Sequence, residues 1–182
     1  MSCGHVGFYD LVGAGCSFSR DFASALGFAR VFAVGSDIAM VSDSKDALAQ
    51  RYIASGSNHS RLSYHAKHGA AALVVESLEA ETGMLDSMRD SGCAMVIPLG
   101  TIVGTAGCAR YRSIRNATKL FSACRKFDIP VAFVSMARSQ LFMESYMQLI
   151  SLAELVGADE AYARYSLSSI NASLGGNDGG KG

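Results

Sequence analysis

Gly69-Ala70-Ala71-Ala72-Leu73-Val74-Val75 ends one periodic segment at a glycine and then runs without a polar residue. A glycine at a helix terminus supplies the left-handed cap, and an apolar run that does not alternate reads as a strand covered on both faces. Strands of that kind belong to parallel sheets with helices packed against them. The same junction recurs at Gly27-Phe-Ala-Arg-Val-Phe-Ala-Val34, Gly92-Cys-Ala-Met-Val-Ile97 and Phe127-Asp-Ile-Pro-Val-Ala-Phe-Val134, and residues 8–12 read as a first strand. Helical periodicity fills the intervals at residues 19–26, 43–54, 61–68, 83–89 and 113–126. Alternation of strand and helix predicts a mainly parallel sheet with right-handed crossovers. Past Val134 the rhythm changes: residues 139–155 read as one long helix, Gly157 stops it, and residues 158–174 read as a second, with Asp159 and Glu160 near its start. The expected organisation is one α/β domain over residues 1–174 and a disordered Gly-rich tail over 175–182. An open doubly wound sheet and a barrel both fit this order; a full eight-unit barrel typically takes roughly 250 residues.

The composition bounds the function. The chain has 182 residues, 49% of them hydrophobic and 18% charged, which excludes an intrinsically disordered protein. Sixteen basic residues meet sixteen acidic ones, so the whole surface is no cationic coat for nucleic acid, although a local basic face remains open. No apolar run approaches the roughly 20 residues of a membrane-spanning helix, and no secretory signal pattern is visible, so the expected compartment is the cytoplasm. Cys3, Cys16, Cys93, Cys108 and Cys124 are scattered, without C-x-x-C or paired Cys/His spacing, and read as reduced core or surface thiols.

Most catalytic signatures are absent. Gly13-Ala-Gly15 follows the first strand, but the third glycine of a dinucleotide loop would fall at Phe18, so it reads as an ordinary turn. His65 and His68 lie three apart beside Arg61, Tyr64 and Lys67, a cationic setting that opposes metal binding and predicts an exposed helical face; no metal ligand set is expected. Asp10 stands at the end of the first strand, where barrels place functional groups, with a capping or structural role as the stronger reading. Charge distribution says more. Residues 110–138 hold Arg110, Arg112, Arg115, Lys119, Arg125, Lys126 and Arg138 against Asp128 alone, a local net of +6, whereas residues 76–90 carry a local net of −4. Arg112, Arg115 and Lys119 share one face of a helix whose other face carries Ile114, Ala117, Leu120, Phe121 and Cys124. Such a ridge suits phosphate-backbone contact, and a solvated helix exterior fits it equally well.

Phe8-Tyr9-Asp10-Leu11, the basic segment Arg112 to Val134, Ser135-Met-Ala137 with Arg138, and Leu152-Ala-Glu-Leu-Val-Gly157 followed by Ser169-Ile-Asn-Ala-Ser-Leu174 together resemble, in order, the archaeal ribonuclease P protein component 3 family. The chain carries Ser139 and Gln140 where that family commonly has a proline, and it is short for the family, which implies a compact or incomplete TIM-like barrel of parallel strands closed by two C-terminal helices. The resemblance further implies a non-catalytic protein subunit: the RNA subunit binds Mg2+ and removes the 5′ leader of precursor tRNA, and the protein, holding no cofactor itself, pairs with a small ferredoxin-like subunit and other ribonuclease P proteins. Arg110, Arg112, Arg115, Lys119, Arg125, Lys126 and Arg138 are then the expected RNA contacts. The competing expectations are a small metal-dependent barrel phosphoesterase using Asp10 as acid or base on a phosphorylated metabolite, and a purely structural α/β interaction protein.

Overall fold

The computed structural model describes residues 7–42 and 52–174, with side chains to residue 170. Its strands are β1 (Tyr9–Val12), β2 (Arg30–Ala33), β3 (Ala39–Ser42), β4 (Tyr52–Gly56), β5 (Ala70–Val75), β6 (Ala94–Pro98) and β7 (Val131–Val134). Helices α1 (Arg20–Ala25), α2 (His59–Lys67), α3 (Thr82–Ser91), α4 (Gly100–Val103) and α5 (Gly107–Lys126) fall between strands, and α6 (Tyr146–Leu155) and α7 (Glu160–Leu174) follow the last. All pairings between strands are parallel, in the orders β1-β2 and β3-β4-β5-β6-β7. Every residue of β4, β5, β6 and β7 is buried, as strands sandwiched between a filled interior and a helical outer layer must be.

The two sheets meet twice. Val34 and Ile38 form a single parallel bridge that leads from β2 toward β3. On the other side the Met136 N–H donates to the Leu11 carbonyl and the Gly13 N–H to the Ala137 carbonyl, both at 2.9 Å, linking β1 to the end of β7. The described strands therefore follow one another around a barrel that is incomplete at two seams, where isolated bonds replace a ladder. Nearer the start of β7 its backbone is satisfied from α7: the Phe133 N–H donates to Ser166 Oγ at 3.0 Å, and that hydroxyl donates to the Val131 carbonyl at 2.7 Å. A buried backbone group left without a partner costs free energy, so a helical serine stands in for the missing strand.

The anticipated α/β architecture with two closing helices is the observed one; two local expectations are corrected and two short elements are added. Residues 52–54, read as the end of a helix over 43–54, belong to β4; residues 43–51 lie outside the described residues. Tyr52 and Ile53 are fully buried between β3 and β5, so the strand shows no two-residue alternation to betray it. β3 and α4, each of four residues, carried too little periodicity to be foreseen. The long helix over 139–155 is broken: Gln140–Phe142 form one 3₁₀ turn, and α6 starts afresh behind Ser145. The Ser145 hydroxyl accepts from the Gln148 N–H at 3.3 Å and the Gln148 side chain accepts from the Ser145 N–H at 2.8 Å, a capping box that makes residue 145 a helix start. The tail over 175–182 lies outside the described residues.

Candidate nucleic-acid interface

α5 has 20 residues and is about 30 Å long at about 1.5 Å per residue. Ala117, Leu120, Phe121 and Cys124 are buried, and they hold the helix against the barrel wall. At about 100° per residue, Arg112, Arg115, Lys119 and Lys126 fall within an outward sector of about 60°. The ridge anticipated from three residues thus has four. All four are exposed, and none makes an ion pair with another described residue. Beside the ridge, the Asn116 side-chain amide donates to the Ser77 carbonyl at 3.3 Å and pins the loop after β5 to the flank of α5. Leu78, Glu79 and Ala80 face Arg115 and Lys119 across a groove of about 350 Å3, so the acidic stretch that begins at Glu76 borders the ridge at this edge.

The other cations of the stretch are used differently. Arg110 donates to the carbonyls of Ile102 at 3.2 Å, Thr105 at 2.7 Å and Val103 at 3.3 Å. Its guanidinium caps the carbonyl end of α4, where a positive charge also complements the helix dipole. The Arg125 guanidinium lies 4.6 Å from the centre of the Tyr162 ring, joining α5 to α7 by a cation–π contact. Arg138 is exposed beyond β7 and lines the mouth of the barrel, a cavity of about 720 Å3 formed with Gly13, Ser55, Glu76, Pro98 and Thr101 at the carboxyl ends of the strands.

Asp10 sits beneath that mouth rather than in it. Its carboxylate is fully buried; Oδ1 accepts from the N–H groups of Leu11 at 2.8 Å and Ser135 at 2.7 Å, and Oδ2 from the Ser135 hydroxyl at 2.5 Å. Burial pushes its pKa up to about 6, against the opposing pull of the Ser135 hydroxyl and the Ser135 and Leu11 N–H groups. The arrangement bolts β1 to β7 across the seam, which is the structural role. Ser135 was not singled out from the sequence as its partner, because no pattern connects residues 125 apart.

The histidines divide. His65, expected on an exposed face, is buried, its Nδ1 3.0 Å from the Tyr52 hydroxyl, whereas His68 is exposed and stacks on Tyr64 with ring centres 3.9 Å apart. Among the described residues no group of three or more His, Cys, Asp or Glu is placed to hold a metal ion. The described cysteines are unpaired; Cys16, Cys93 and Cys124 are buried and Cys108 is exposed. Burial pushes the Cys93 and Cys124 thiols up to about 12. No described helix is long and apolar enough to cross a membrane.

The incomplete parallel barrel with two closing helices has a counterpart among solved structures. It is the fold of a chain in archaeal ribonuclease P. In the cryo-EM structure of archaeal ribonuclease P with mature tRNA, the similar chain superposes with a TM-score of 0.69 at 11% identity, over 92% of this chain and 80% of that one. The crystal structure of Aspergillus niger ochratoxinase is more distant, with a TM-score of 0.51 at 14% identity over 68% of this chain and 30% of that one. No family model matches the sequence, and no curated protein matches it.

Proposed function

We propose that the protein is a non-catalytic protein component of ribonuclease P, the component 3 subunit, which supports the catalytic RNA in removing the 5′ leader of precursor tRNA. The observation that carries this reading is the ridge of Arg112, Arg115, Lys119 and Lys126, unpaired among the described residues, on a fold shared over 92% of the chain with a ribonuclease P protein. Four cations along about 21 Å of one helix suit an RNA backbone, where phosphate contacts supply affinity and orientation without reading sequence. Arg138, at the barrel mouth, adds a cation away from the ridge, while Arg110 and Arg125 support the interface by fixing α4 and α7 around α5. In this reading the partners are ribonuclease P RNA, precursor tRNA, the small ferredoxin-like subunit and the other ribonuclease P proteins, all in the cytoplasm. The Mg2+ of the reaction belongs to the RNA subunit.

Arg112→Glu combined with Arg115→Glu tests the reading. Two lost phosphate contacts should flatten the dependence of log K on log salt by about 1.5 to 2 and weaken RNA binding at low salt. Affinity and salt slope unchanged from the wild type would defeat the proposal. Sequencing of RNA recovered with the protein from native extract should return ribonuclease P RNA.

A further inference from the structure

A cleft of about 430 Å3 lies between α4 and the 3₁₀ turn, lined in part by Gly100, Val103, Gly104, Ser135, Arg138 and Phe142. Gly100 lets α4 pack closely on the segment after β7: its N–H donates to the Ser135 carbonyl at 3.1 Å, and a Cβ there would collide with that carbonyl. The opposite side carries an aromatic ring that the fold leaves outside: Phe142 is 59% exposed, and Leu141 before it is 91% exposed. The ring is held there by structure. The Phe142 N–H donates to the Ser139 carbonyl at 3.0 Å, and the next residue, Met143, is buried and anchors the turn. Large apolar side chains exposed together on an ordered turn mark a contact surface.

The charges around the cleft say what it contacts. Its lining contains no acidic residue, and Arg138 forms part of it. At the far end of α4 the Arg110 guanidinium bonds the Val103 carbonyl, placing a second positive charge on the rim. α4 ends at Val103 and α5 begins at Gly107, so the helix that carries the ridge starts close in the chain to the cleft. An apolar protein side chain would explain Phe142 and Leu141 but not the two arginines at the cleft's edge. RNA explains both, because single-stranded segments are bound by stacking a splayed base on an aromatic ring while arginine holds the phosphate.

We propose that this cleft receives one unstacked nucleobase of a bound RNA, with the base stacked on Phe142 and the adjoining phosphate paired with Arg138. The inference rests on the RNA-binding reading above and extends it from backbone phosphates to a single-stranded nucleotide.

The test compares the full chain with Phe142→Ala and Phe142→Trp, using a fluorescein-labelled oligouridylate and a blunt-ended RNA duplex of the same length. Phe142→Ala should weaken oligouridylate binding about tenfold, Phe142→Trp should keep it, and duplex binding should stay at the wild-type level in both. Duplex binding that depends on Arg112 and Arg115, with oligouridylate affinity indifferent to residue 142, would overturn the cleft alone. Failure of the wild type to bind either RNA would overturn the cleft and the ridge together. Self-association of the wild type that disappears in Phe142→Ala, with RNA affinity unchanged, would make the patch a protein contact and also overturn the proposal.

Discussion

Asp10 shows how one residue can join two distant strands and make the fold sensitive to pH. It is the only fully buried carboxylate among the described residues, and its acceptors are occupied by Ser135 and Leu11. Burial raises its pKa from 3.8 to about 6, so the folded protein binds this proton more tightly than the unfolded chain does. The stability linked to that proton is fully present below about pH 4 and is lost as pH rises to about 6, a decline of about 3 kcal/mol. Asp10→Asn should abolish this decline, because the amide oxygen can still accept from both N–H groups and nothing remains to titrate. Urea unfolding at intervals from pH 4 to pH 7 checks it; parallel curves for wild type and variant would assign the dependence elsewhere. Asp10 could be picked out in the sequence as a strand-end carboxylate, but its role could not, because that role is made by Ser135. The arginines make the same point. Arg110 and Arg112 are adjacent members of one basic run, yet one turns back onto the carbonyls of α4 and the other points to solvent.

At the scale of elements, α5 was legible because its buried and charged faces keep a strict helical spacing, which a single sequence displays directly. α6 was less so. Hydrophobic spacing alone runs on through residues 139–155, and only the Ser145/Gln148 capping box divides that run. Ser145→Ala removes the hydroxyl that accepts from the Gln148 N–H. It should cost about 1 kcal/mol and lower Tm by about 2–4 °C, measurable by calorimetry, without altering RNA affinity. The break also repositions a side chain. A continuous helix through residue 142 would carry Phe142 as one more helical side chain, whereas the turn sets it at the edge of the cleft beside Arg138. β3 and β4 went unread because four- and five-residue strands in this setting show neither the two-residue nor the 3.6-residue period.

For the whole molecule, the incomplete barrel predicts an uneven distribution of stability. The centre of the five-stranded sheet has ladders on both sides, whereas the junction of β1 with β7 relies on two backbone bonds and the Asp10 bolt, and Ser166 of α7 occupies backbone groups of β7 that no strand pairs on that side. Amide exchange should therefore be slowest in β5 and β6 and faster at Gly13 and Met136, and Ser166→Ala should accelerate exchange at Phe133 in particular. Equal protection at the seam and in the central strands would show that the barrel behaves as continuous. Charge is distributed on the same scale. Sixteen positive and sixteen negative residues cancel in the total, but the packing of α5 turns four of its cations to one outward face.

By itself the sequence determined the class of fold, the buried face of α5, the basic stretch and the two closing helices. Each is written locally, in apolar runs, glycine stops and helical spacing that neighbouring residues impose on one another. Only the tertiary structure decided how the strands circle into a barrel with two seams, that Asp10 belongs to Ser135, which arginines are left exposed, and that Phe142 stands open beside Arg138. Those outcomes depend on which groups far apart in the chain meet when the apolar surfaces are buried, and a buried carboxylate or an orphaned carbonyl takes its partner from whatever the packing brings within about 3 Å.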